Sequence, residues 1–118
     1  MINLYGIKNC DKVRAAKKWL DCHHNKFQFQ DIREKPLDTK VWQSWLDFWG
    51  ADQLINKRSA SWKQLSEQQK CNLSIDNACI LLQSHPTLMK RPHLLKNKKP
   101  LSLGFSAAKY QKIFSEQS

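Results

Sequence analysis

Four cysteines, Cys10, Cys22, Cys71 and Cys79, are the side chains in this sequence best suited to covalent chemistry. No two stand at C-x-x-C spacing, which argues against a zinc ribbon and against a disulfide scaffold; in a reducing compartment they are thiols. Cys10 is set apart by its position. It ends the link Gly6-Ile7-Lys8-Asn9-Cys10, which follows the β-prone run Ile2 to Tyr5 and leads straight into helical periodicity. A thiol at a helix N-terminus lies at the positive end of the macrodipole, and the N–H groups of Asp11, Lys12 and Val13 are expected to point toward its sulfur. With Lys8 and Lys12 adding positive charge, the site favours the thiolate, the nucleophilic form. The competing reading of Cys10 is a small apolar cap.

The other thiols are less suited. Along a helix that rises ~1.5 Å per residue, Cys22 lies about 18 Å from Cys10, whereas a disulfide needs Cα atoms within about 7 Å. Val13 occupies the place of a second thiol in C-x-x-C. An external thiol must therefore complete any redox cycle, unless the fold brings Cys71 or Cys79 to Cys10. Cys79 falls in an apolar stripe and reads as a core thiol, and Cys22 and Cys71 read as helix-end residues. Cys22-His23-His24 has the composition of a metal site but not the spacing, since adjacent histidines seldom converge on one ion; no metal is expected. Two basic pairs remain, Lys57-Arg58 and Lys90-Arg91-Pro92. An arginine fork suits oxyanions and carboxylates, and surface charge is the plainer reading. Spacing alone cannot tie either pair to Cys10.

The elements that must position these residues follow from periodicity. Ile2 to Tyr5 reads as a strand, and Asp11 to Cys22 as a helix with Val13, Ala16, Trp19 and Leu20 on one face and Asn9 or Cys10 as its N-cap. Phe27 to Gln30 alternates as a second strand. Asp38 caps a second helix carrying Val41, Trp42, Trp45, Leu46 and Trp49, which Gly50 stops. Ala51 to Gln83 is helical again, with Ser61-Trp62-Lys63-Gln64 as a capping box and Ile75, Ala78, Cys79 and Leu82 on one face. Pro92 to Leu95 and Pro100 to Leu103 flank Lys96-Asn97-Lys98-Lys99 as a hairpin. Ser106 caps a last helix with Ala107, Tyr110, Ile113 and Phe114 inward. The order β-α-β-α, helical insert, β-β-α predicts an α/β protein of thioredoxin-like fold, a single domain over 1–118 with the insertion at about 51–84.

Composition sets the outer bounds. The chain has 118 residues, with 41% hydrophobic and 10% aromatic residues and only 3 glycines and 4 prolines, which fits one globular domain rather than a disordered or fibrous chain. The N-terminus lacks an apolar signal-peptide core and no run of some 18 apolar residues occurs, so a cytoplasmic protein without a membrane partner is expected. The formal charge of +10 predicts attraction for anions. Most of it reads as solvated helix faces, and nucleic acid is not expected as the partner.

Four motifs in order, YGIKNCD (Tyr5 to Asp11), LINKR (Leu54 to Arg58), HPTLMKRP (His85 to Pro92) and LGF (Leu103 to Phe105), closely resemble the family that contains ArsC-type arsenate reductases and the Spx regulators, and within it the bacterial proteins that begin YGIKNCD. The resemblance runs over nearly the whole chain. It implies a thioredoxin-like domain with a helical insert, in which the first-loop cysteine attacks and arginines bind the oxyanion: Cys10 as nucleophile, Arg58 and Arg91 converging on it with Lys8 and Asn9 alongside, and Pro92 as the cis-proline of the fold. The exposed backbone of Arg91 is then expected to pair with an extended peptide such as glutathione. Two departures stand out. Arsenate reductases of this type carry a third arginine where this chain has Leu103-Gly104-Phe105-Ser106, and Spx-type regulators usually carry C-x-x-C.

These readings together predict a monomeric, glutathione-dependent thiol reductase with one nucleophilic cysteine. No cofactor is bound; glutathione or another small thiol is the co-substrate, and the substrate is a small anion or a disulfide. The alternative is an Spx-like regulatory protein that binds RNA polymerase or another partner without catalysis.

Overall fold

The computed structural model describes residues 1–71 and 73–116. Strand β1 (Ile2–Gly6) leads into helix α1 (Asp11–Cys22), then strand β2 (Phe27–Asp31) and helix α2 (Thr39–Trp49). Four further helices follow, α3 (Ala51–Leu54), α4 (Ala60–Lys63), α5 (Glu67–Cys71) and α6 (Ile75–Ser84), with a 3₁₀ turn at Pro86–Leu88. Strands β3 (His93–Lys96) and β4 (Lys99–Leu103) and helix α7 (Ala107–Glu116) complete the chain. The element order is the one the periodicity predicts.

Two compact units result. One, Met1–Asp31 with Arg91–Ser118, holds the sheet; the other, Ile32–Lys90, is helical. The helical unit takes in α2 as well as the segment of about 51–84 read as an insertion. Helix α2 belongs with the helical unit, where Trp42 and Trp45 meet edge to face at 5.4 Å between ring centroids and the carbonyl of Thr39 takes a weak 3.9 Å hydrogen bond from the Cys79 thiol of α6. Gly50, at φ 84, closes α2 by donating to Leu46 O at 2.8 Å, in a backbone region that disfavours side chains.

In the sheet unit the strand order is β2-β1-β3-β4, with β1 parallel to β2 and antiparallel to β3, and β3 antiparallel to β4. Ile2 and Leu4 of β1, Ala16 and Leu20 of α1, Leu94 of β3 and Tyr110 of α7 form its core. Trp19 meets Tyr110 edge to face at 5.5 Å, so α1 and α7 pack together there. Asn97 and Lys98 turn the β3–β4 hairpin at φ 52 and 67, both left-handed, as a two-residue turn requires. A Lys rather than a Gly sits at the second position; Asn97 N–H, bonded to Met1 O at 3.0 Å, ties the turn to the start of β1.

Three local expectations are corrected. Ser61 does not cap α4; Ser59 does, accepting from Trp62 N–H at 3.2 Å, while Ser61 Oγ pairs with Thr87 Oγ1. A reciprocal capping box does form one turn on, between Ser66 and Gln69. Ile75 is exposed, because as the first residue of α6 it precedes the packed turn, and Leu81 fills the buried face instead. Ala107, likewise first in α7, is exposed, whereas Tyr110 is fully buried and Ile113 and Phe114 half-buried.

Candidate active site

The site begins with how tightly β1 and α1 approach. Gly6 ends β1 with no side chain, and a Cβ built there would lie 2.7 Å from Cγ2 of Val13, on the first turn of α1. Val13 is β-branched, stiff and completely buried, so it cannot swing aside. The link Ile7 to Cys10 spans this contact, with Ile7 buried and Lys8 and Asn9 exposed. Gly6→Ala should push α1 off β1 and cost about 1–3 kcal/mol, read as a lower urea midpoint at unchanged slope; an unchanged midpoint would contradict the close approach.

Cys10 is the N-cap of α1, in extended conformation (φ −140, ψ 122), and its carbonyl accepts Arg14 N–H at 3.0 Å. The thiol is half-buried and makes no capping hydrogen bond to the first turn. The expected N–H contacts to sulfur are thus not made. Asp11 pairs with Arg14 on the first turn. Cys22 and Cys71 are exposed at the ends of α1 and α5, and Cys79 is buried, as expected of each.

On the neighbouring strand, Tyr5 faces His93, which places Pro92 beside the end of β1 from which the Cys10 link departs. The Arg91-Pro92 bond is cis, as the resemblance implies. Pro92 is buried, and its carbonyl accepts Gly104 N–H at 2.9 Å, which draws the Leu103–Phe105 motif to it; Arg91 is half-buried. His93 is fully buried, and burial holds its imidazole neutral, pushed down to about 3.

The motifs around the two arginines are also joined, through backbone. Asn56 N–H donates to Leu88 O and Lys90 N–H to Leu54 O, each at 2.8 Å, around an isolated bridge between Ile55 and Met89. Asn56 Oδ1 accepts Arg58 N–H at 3.0 Å and leaves the Arg58 side chain exposed. Cys10, Lys8, Asn9, Arg91 and Pro92 therefore share the sheet unit, and Arg58 belongs to the helical one. Of the twenty Lys and Arg, twelve lie in the sheet unit against four of the ten Asp and Glu, so most of the positive excess belongs to the unit that carries Cys10. Spacing did not single out Asp31. Its carboxylate, on a residue 6% exposed, accepts Lys8 N–H at 2.9 Å; the only trace in sequence is an acidic residue closing the alternating run Phe27 to Gln30.

Among the described residues no helix is long and apolar enough to cross a membrane, and no three His, Cys, Asp or Glu side chains gather as a metal site.

The ArsC family profile matches residues 5–113. The chain belongs to the ArsC family. It is 42% identical over 115 residues to an uncharacterized protein of Haemophilus influenzae, covering 98% of this chain and all of that one. It is 30% identical over 108 residues to the global transcriptional regulator Spx of Streptococcus pneumoniae, covering 90% of this chain and 80% of the regulator. Among solved structures, an arsenate reductase (ArsC) related protein from Brucella melitensis superposes with a TM-score of 0.78 at 31% identity, over 96% of this chain and 93% of that one. The fold is the thioredoxin-like one of ArsC-type proteins, with the helical unit set between β2 and β3.

Proposed function

We propose that this ArsC-family protein is a thiol reductase that works with one cysteine and takes glutathione as its second thiol. The observation that carries the reading is Cys10 as N-cap of α1, with the fully buried Val13 at the place where a C-x-x-C protein keeps its resolving thiol. The chemistry balances with a disulfide substrate. Cys10 thiolate attacks one sulfur, the S–S bond breaks, and the other sulfur leaves as thiolate and takes up a proton. A glutathione thiolate then attacks the substrate sulfur of the mixed disulfide, freeing Cys10 thiolate and leaving the substrate joined to glutathione. Arg91, with Lys8 and Asn9 on the Cys10 link, is assigned to the anionic carboxylates of glutathione or substrate, and the Arg91 backbone to pairing with the glutathione peptide. Arg58 enters as a second anion-binding cation on the family resemblance. The concentration of positive charge in the sheet unit supports an anionic ligand.

The test is mass spectrometry of the intact protein after exposure to oxidised glutathione. One adduct on Cys10 is expected, forming about tenfold more slowly in Arg91→Ala and in Arg58→Ala, the worth of one charge-assisted hydrogen bond. Absence of any Cys10 adduct would refute the reading. It would then favour a regulatory protein that binds RNA polymerase or another partner, which the likeness to Spx supports.

A further inference from the structure

A carboxylate on a different strand is hydrogen-bonded to the link that carries Cys10. Asp31 closes β2, directly opposite Gly6 in the parallel ladder with β1. Its side chain turns toward the link between β1 and α1 and takes the Lys8 N–H on Oδ2 at 2.9 Å, on a residue only 6% exposed. Only four residues, Ile7 to Cys10, separate the two elements. The Gly6–Val13 contact sets how closely the elements approach, and Cys10 O is tied into the helix through Arg14 N–H. Between those ends, the Asp31 bond fixes the orientation of the Lys8 peptide, two residues before the thiol. A carboxylate holding a backbone N–H is among the stronger hydrogen bonds available, and a part-buried N–H stripped of its acceptor is costly.

We propose that Asp31 is a positioning residue for Cys10, holding the link through Lys8 N–H so that the thiol stays at the N-terminus of α1. This rests on Cys10 being the reactive group. A carboxylate also adds negative charge near a thiolate, which by itself opposes it, so the bond and the charge must be separated.

Asp31→Asn keeps an acceptor oxygen and removes the charge; Asp31→Ala removes both. The two variants therefore share a charge and differ in the hydrogen bond. The measurement is the iodoacetamide rate of Cys10 relative to exposed Cys22 in the same molecule, followed from about pH 5 to pH 9 across the range of thiol titration and well below the urea midpoint of each variant. We expect Asp31→Asn to keep the wild-type ratio within about twofold or to exceed it, and Asp31→Ala to fall at least about fivefold below Asp31→Asn near pH 6, with its profile displaced to higher pH. A role confined to stability would lower the midpoint and leave the ratio and profile alone. Where Asp31→Ala fails to fold, Asp31→Val, which suits a strand and also lacks an acceptor, takes its place. An Asp31→Ala ratio equal to that of Asp31→Asn would overturn the proposal. Wild-type Cys10 labelling no faster than Cys22 would instead overturn the reading of Cys10 itself, and the role of Asp31 with it.

Discussion

As the pH falls from about 6.5 toward 3, folding should become steeply less favourable, and His93 should account for a large share of the loss. The imidazole is fully buried in β3, and burial pushes its protonation down to about 3, against the ordinary value of 6.5 in the unfolded chain. Between those two values the unfolded chain holds a proton that the folded chain does not. Stability from the neutral imidazole is therefore complete above 6.5 and is lost as the pH falls through the window, by about 1.4 kcal/mol per pH unit. By pH 4 that is about 3 kcal/mol, a large part of the 5–15 kcal/mol that holds a typical domain together. Its aromatic neighbour across the strand pair, Tyr5, stays neutral throughout, since burial moves its hydroxyl further up from 10. Carboxylates add their own acid dependence, so the comparison is with His93→Gln, which does not titrate. Unfolding free energies from urea titration of the variant should fall less steeply between pH 7 and 4 than those of the wild type, by about 1 kcal/mol per pH unit. Parallel slopes would show that His93 does not take up a proton on unfolding.

What was legible in the sequence depended on how local its cause is. Strand β1, helix α1 and strand β2 are visible because their apolar residues repeat at the period of each element, and Asp38 and Gly50 mark the ends of α2. Cys10 was legible for the same reason: one junction of strand, link and helix defines it. The region after Gly50 was visible as helical, with Ser74 to Gln83 carrying one apolar face, but α3, α4 and α5 were not visible as separate helices. Helices of four or five residues are too short to hold themselves and take their limits from tertiary contacts. Ser59 and Ser61 both precede polar helical residues, and the choice between them follows from Thr87, twenty-six residues further on, which engages Ser61.

The parts of the site that escaped are non-local. The bridge between Ile55 and Met89 joins two motifs thirty-four residues apart, and no periodicity announces it. Asp31 reads as the polar end of an edge strand until the β1–β2 register sets it opposite Gly6 and beneath the Lys8 peptide. His93 reads as one more residue of a short strand, and its full burial arises only once Tyr5 and Leu103 flank it in the sheet. The Asn97-Lys98 turn carries no glycine, and its left-handed geometry is held in part by Asn97 N–H reaching back to Met1 O.

Competitive alkylation tests the central claim most directly. The folded protein is treated with limiting iodoacetamide at about pH 6, below the ordinary thiol range of about 8.5, and the labelled cysteines are mapped by mass. Cys22 and Cys71 are exposed and Cys10 only half-buried, so access alone ranks the exposed pair first. The reverse order is expected from position, because Cys10 caps α1 with Lys8 and Lys12 flanking it, whereas Cys22 sits at the opposite end of the same helix and Cys71 ends α5. Cys10 should label at least about tenfold faster than either, which corresponds to about 1.4 kcal/mol in favour of its reaction, and Cys10→Ser should erase that fast phase while leaving the other two unchanged. Labelling that begins at Cys22 or Cys71, with Cys10 modified no faster, would contradict the assignment of Cys10 as the reactive group.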